Sequence, residues 1–144
     1  MHGRQTLALI AHDGRKADMV AFATYNRARL AEFDLVATST TGRLLHDKVG
    51  LNVRMMLSGP LGGDAQIAAL VAEGRIRAVF FFSDPLSAHP HDPDIRTLLR
   101  VCNVHNVPIA TNVAAGDLFL ASPILEAGST VDEPGPEASG ARVG

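Results

Sequence analysis

The chain has 144 residues, 47% of them hydrophobic, with a net charge of −2 and a mean hydropathy of +0.13, enough for one domain with a substantial core. The near-neutral balance and pI of about 6.3 argue against nucleic acid or a membrane surface as partner, and no apolar run approaches the ~18 residues of a membrane span. A single cysteine, Cys102, excludes an internal disulfide framework, and "TLALIA" (6–11) is too short for the core of a secretory leader, so a cytoplasmic domain is expected.

Five short apolar runs punctuate the chain: "LALIA" (7–11), "DLVAT" (34–38), "VRMML" (53–57), "AVFFF" (78–82) and "VPIAT" (107–111). They are nearly continuous in apolar character, as strands covered on both faces are. Helical spacing fills the gaps. Met19, Phe22, Ala23 and Leu30 share one face. A shorter helix is expected over 41–48. Ile67, Leu70 and Val71 mark a helix over 64–73, with Gly74 as its stop. Ile95, Leu98, Leu99 and Cys102 form the next stripe, which makes Cys102 a core residue rather than a nucleophile. A fifth helix over 114–121 ends at Ser122-Pro123. This alternation predicts a three-layer α/β/α domain over residues 1–123 with an open, five-stranded, mostly parallel sheet. From residue 124 onward Gly, Pro, Ser and Glu dominate, and a flexible extension is expected over 124–144.

Open parallel sheets bind ligands beyond the carboxyl ends of their strands. In chain order those ends carry His12, Asp13 and Lys16; Thr38, Ser39, Thr40, Thr41 and Gly42; Ser58 to Asp64; Ser83 and Asp84, followed by "HPHDPD" (89–94); and Thr111 with Asn112. "TSTTG" reads either as a helix cap with spare hydroxyls or as a phosphate cradle, with Lys16, one of two lysines, supplying charge. No P-loop or GxGxxG fingerprint accompanies it. Asp64 suits the N-cap of the 64–73 helix. Equally, the glycines at 59, 62 and 63 allow close backbone approach to a ligand, and a carboxylate on that rim suits a general base. Asp92-Pro93 reads as a helix start, with Asp92 the cap and Pro93 the first helical residue. His89 and His91 suggest a metal, but two prolines interrupt the 89–94 segment and the HExxH spacing is absent, so no metal is assigned. His91 reads instead as a hydrogen-bond donor to a carbonyl oxygen, with Asp84 or Asp94 nearby, or as a solvated loop histidine.

The segments "AHDGRK", "TSTTGR", "SGPLGGDAQI", "FFSDPL", "HPHDPDIRTLLR" and "IATNVAAGD", in this order from Leu7 to Pro123, resemble the methylglyoxal synthase family. The resemblance implies conversion of dihydroxyacetone phosphate to methylglyoxal and inorganic phosphate, without metal or organic cofactor. By position it makes Asp64 the proton-abstracting base and His91 the contact on the substrate's carbonyl side. It sets His12, Lys16, Thr38, Ser39, Thr40, Thr41, Ser58 and Gly59 on substrate and phosphate. Asp13, Asp84 and Asp94 match further active-site carboxylates. It also implies a homohexamer inhibited by phosphate. Two departures stand out: Ser39 replaces the family's glycine in "T-G-T-T-G", and the tail lacks the family's final strand and helix. Two rivals share the fold. An effector-binding regulatory domain, like that of carbamoyl phosphate synthetase, would not require Asp64 and His91 together. A phospho-receiver would need an aspartate where Ser58 stands.

Overall fold

A computed structural model describes residues 4–58, 61–86, 93–123 and 125. His91, Asp92 and Gly59 lie outside the described residues, as do 124 and 126–144, where the extension was expected. The order is β1 (Thr6–Ala11), α1 (Lys16–Tyr25), α2 (Arg27–Leu30), β2 (Asp34–Ala37), α3 (Ser39–Leu44), β3 (Val53–Met55), α4 (Gly63–Ala72), β4 (Ala78–Phe82), α5 (Ile95–Val104), β5 (Ile109–Ala110) and α6 (Val113–Ala121). All strand pairs are parallel, in the order β3-β2-β1-β4-β5. Among the described residues no helix is long and apolar enough to cross a membrane.

Alternation along the strands divides the core in two. Leu7, Leu9, Ala11, Phe80 and Phe82 pack with Met19 and Phe22 of α1 and with Leu120 of α6. Ala8, Ile10, Val79 and Phe81 face the other way, onto Ile67 and Val71 of α4 and Leu98 and Cys102 of α5. Helices therefore cover both faces, which is why the strands read as unbroken apolar runs. Gly116 lets α6 close on the first face: a Cβ there would stand 2.9 Å from Phe22 Cε1. Leu125 is buried against the same cluster, and Arg29 donates to its carbonyl.

Cys102 is fully buried, as the helical stripe predicted, and burial pushes its thiol up to about 11. The thiol therefore stays protonated and sheltered through neutral pH. Reaction with a thiol-specific reagent at pH 8 is expected to be negligible in the folded protein and complete in denaturant, followed by absorbance of the released thiolate. Full labelling of the native chain would contradict the packing.

Three helix boundaries differ from expectation. The helix expected over 41–48 begins at Ser39 and passes into a π-helical turn, Leu45–Val49, which ends on Gly50 at φ 77°. The helix expected to start at Asp64 starts at Gly63, with Gly62 at φ 100° in the N-cap position, so Asp64 is not the cap. Its end is as predicted: Gly74 at φ 75° donates to Val71 O and Arg75 N to Leu70 O, the paired bonds of a left-handed helix stop. The helix expected to open on Pro93 opens on Ile95. Asp94 is its cap, accepting from Arg96 N at 2.9 Å, and Pro93 lies outside the helix.

Candidate active site

The chain runs outward from β1 through β2 to β3, then returns to lay β4 on the other side of β1. Loops leaving β1 and β4 thus diverge, and their carboxyl ends open the crevice in which this class of sheet binds ligands. Lys16 sits at the foot of the crevice. Its Nζ donates to Ala11 O at 2.7 Å and lies 3.3 Å from Asp13 Oδ1. The carboxyl end of the central strand and an acidic neighbour thereby hold the ammonium in place, with the side chain largely covered.

The next loop supplies hydroxyls. Thr38 takes the N-cap position of α3 with extended backbone, but its side chain makes no cap bond. Thr38 Oγ1 and Thr41 Oγ1 are both buried and have no hydrogen-bond partner among the described residues. A buried hydroxyl left unpaired costs about 1–3 kcal/mol. Both stand at the exit of β2, where a hydrogen-bonding ligand would satisfy them. Ser39 and Thr40 are more exposed on the same turn. The cap reading of "TSTTG" thus loses its main support, a side-chain cap bond.

Opposite this turn stands Asp64. The chain leaves β3 with Leu57 N donating to Gln66 Oε1 at 2.7 Å. It then turns on Ser58, whose carbonyl accepts from Leu61 N and Gly63 N at 3.0 and 2.9 Å. This tight turn brings the start of α4 against the hydroxyl loop: a Cβ on Gly63 would lie 3.1 Å from Thr38 Cγ2 and 1.8 Å from Leu57 O. Only glycine allows that approach. Asp64, one residue on, is half-buried, with Oδ1 accepting from Ala65 N and Oδ2 from Asp94 N, both at 2.9 Å. One bond comes from its own helix and one from the loop before α5, so the plane of the carboxylate is set by two elements.

Asp94 carries the other end of that loop. Its side chain caps α5 and accepts from Arg96 Nε at 3.2 Å. These hydrogen bonds from Arg96 hold its carboxyl below the usual carboxylate range. Asp94 is therefore an anion that orients backbone, not a proton donor. Asp84 accepts from Leu86 N at 3.2 Å, and its carboxylate lies over Gly14, where a Cβ would fall 2.1 Å from Asp84 Oδ2.

His12 is almost fully buried, with its ring edge-on to Phe81 at 5.2 Å. Asp84 N lies 2.9 Å from Nδ1 and Pro93 O 3.0 Å from Nε2. Both ring nitrogens are engaged by the chain itself. The structure thus brings together Lys16, Thr38, Thr41, Ser58, Asp64, Asp84, Asp94 and His12 on one rim. Sequence reasoning passed over Gln66 and Gly14, and read Gly63 as clearance for a ligand where the close approach is to Leu57 O and Thr38. The glycines in "HDGRK" and "GGD" are the only signals that pointed their way.

The fold belongs to a known class. Residues 18–111, from α1 to just past β5, match the family model of the MGS-like domain. Over 121 residues the chain is 58% identical to the methylglyoxal synthase of Cupriavidus pinatubonensis, covering 84% of this chain and 93% of that protein. It is 54% identical to that of Thermus thermophilus over 117 residues, 81% of this chain and 93% of the other. The crystal structure of methylglyoxal synthase from Elizabethkingia anophelis superposes with a TM-score of 0.83 at 42% identity, covering 85% of this chain and 81% of that one. The chain belongs to the methylglyoxal synthase family.

Proposed function

We propose that the chain eliminates phosphate from dihydroxyacetone phosphate to give methylglyoxal, with Asp64 as the base. The observation that carries this is the pair of buried, unpartnered hydroxyls of Thr38 and Thr41 against the turn that presents Asp64. On this reading the substrate's phosphate lies among the hydroxyls, α3 amides and Lys16, with its free hydroxymethyl carbon toward Asp64.

The reaction begins when Asp64 takes a proton from the carbon bearing the free hydroxyl, next to the ketone. The electron pair moves into a C–C double bond and onto the carbonyl oxygen, giving an enediolate. A donor on that oxygen, the role assigned to His91, is worth ~2.7–4 kcal/mol in a comparable oxyanion site. The hydroxyl on the deprotonated carbon then loses its proton and becomes an aldehyde carbonyl, the double bond shifts to the other carbon pair, and phosphate leaves the third carbon with the C–O bonding electrons. The resulting enol takes up a proton and becomes methylglyoxal. Expulsion needs the C–O bond to phosphate aligned with the enediolate π system, and fixing that torsion is the work of Thr38, Ser39, Thr40, Thr41, Ser58 and Gly59 with Lys16. Geometry at the phosphate, more than the base, then decides between elimination and simple reprotonation.

The test is direct. Purified protein with dihydroxyacetone phosphate and a chelator is expected to release methylglyoxal and phosphate in equal amounts; absence of both would overturn the reading. Thr38→Val is expected to weaken inorganic phosphate binding about tenfold, one lost hydrogen bond to a charged group. The same change should leave the empty protein as stable, or up to about 1 kcal/mol more so, because the hydroxyl it removes is unpaired. Calorimetric titration and urea unfolding read the two effects separately. Homohexamer assembly, inhibition by phosphate and a cytoplasmic setting belong to the same proposal; light scattering on the purified chain tests the first.

A further inference from the structure

Asp64 is held by a chain of contacts that begins at the buried ring of His12. Asp84 N is an amide donor and cannot accept, so Nδ1 must receive its hydrogen bond at 2.9 Å. Pro93 O is a carbonyl and can only accept, so Nε2 must carry the proton that it receives at 3.0 Å. Together the two partners specify one species, the neutral Nε2–H imidazole. Protonating Nδ1 would set two donors against each other; the other tautomer would break both bonds. Phe81 closes one side of the ring, and the ring is 5% exposed as a residue. His12 N also donates to Phe82 O at 3.0 Å, so β1 and β4 are stitched at backbone level at the same point.

The Pro93 carbonyl precedes Asp94, whose N–H reaches Asp64 Oδ2. His12 holds the carbonyl end of the Pro93–Asp94 peptide, and Asp64 accepts from the N–H end of that same peptide unit. We propose that His12 is a positioning residue. Locked as the Nε2–H tautomer, it ties the end of β4 to the loop before α5 and thereby aims the Asp64 carboxylate. A ring with both nitrogens committed to backbone has no donor left for substrate.

This inference rests on Asp64 acting as base, so turnover of dihydroxyacetone phosphate by the unaltered protein is measured first; its absence removes that reading without touching the tautomer. The tautomer is then read by long-range proton–nitrogen NMR on ring-labelled protein, with His12 assigned by its loss in His12→Asn. One protonated nitrogen, Nε2, and one unprotonated, Nδ1, are expected, unchanged when phosphoglycolate is added. A charged ring, the opposite tautomer, or a ring nitrogen that changes partner on ligand addition overturns the proposal.

Kinetics supply the second arm. His12→Gln can place an amide N–H near Nε2 and keep the Pro93 bond; His12→Asn can keep only the acceptor toward Asp84. His12→Asn is expected to lower kcat ~100-fold, the scale of a small misplacement of reacting groups. KM and phosphate affinity should stay within about threefold, and His12→Gln should recover about tenfold of the loss. In an Asp64→Asn background the His12 effect should vanish, because positioning acts only through the base. Loss of phosphate affinity with kcat intact, or full additivity with Asp64→Asn, would make His12 a substrate ligand instead. If a variant fails to fold, the NMR measurement on the unaltered protein still decides.

Discussion

Asp64→Asn is expected to lower methylglyoxal formation by a factor on the order of 10²–10⁴, the usual contribution of a positioned general base. The shape of the site changes little, since asparagine is nearly isosteric. One of the two amide bonds is lost, because the side chain then has one accepting oxygen where Ala65 N and Asp94 N require two. Phosphate affinity should survive within about threefold, because the hydroxyls of Thr38 and Thr41 and the Lys16 ammonium are untouched. Stopped assays for the dicarbonyl product, set beside calorimetric titration with inorganic phosphate, separate the two quantities. Turnover at the unaltered rate would remove Asp64 from the mechanism.

Gly63→Ala carries the largest structural effect. Its new methyl would lie 1.8 Å from Leu57 O, a backbone atom that cannot rotate aside. Either α4 lifts from the β3 exit or the turn on Ser58 opens. Overpacking of this kind costs about 3 kcal/mol at the upper end of its usual range, and both routes carry Asp64 away from Thr38. Urea unfolding should show a lower midpoint at unchanged slope, and activity should fall even in the folded fraction. Gly62→Ala is the control: among the described residues nothing lies within 4 Å of its Cβ position, but φ is 100°, so the cost is conformational, about 1–2 kcal/mol. Equal losses from the two variants would deny the close approach its importance.

The strands were legible because a sheet buried on both faces leaves no polar alternation to confuse the pattern. Helix stops were legible where Gly74 supplied a left-handed residue. Helix starts were not. Asp64 has ideal cap chemistry, yet the chain spends its carboxylate on the Asp94 amide. Asp92 and Asp94 are equally good caps on paper, and Pro93 tips the choice toward Asp92 because its missing N–H suits a first helical position. In the fold Pro93 contributes its carbonyl to His12 instead, and Asp94 caps α5. The rim itself was legible as a set of strand ends. The engagement of His12 was not, because its two partners lie 72 and 81 residues away along the chain. Nor does any local pattern announce the π-helical turn at Leu45–Val49.

The strand order has one more consequence. β4 is fourth to be synthesised yet must slot beside the first strand, and only the residues after it deliver the peptide that holds the Asp64 carboxylate. Both amide bonds to the Asp64 carboxylate can therefore form only once translation has passed residue 94.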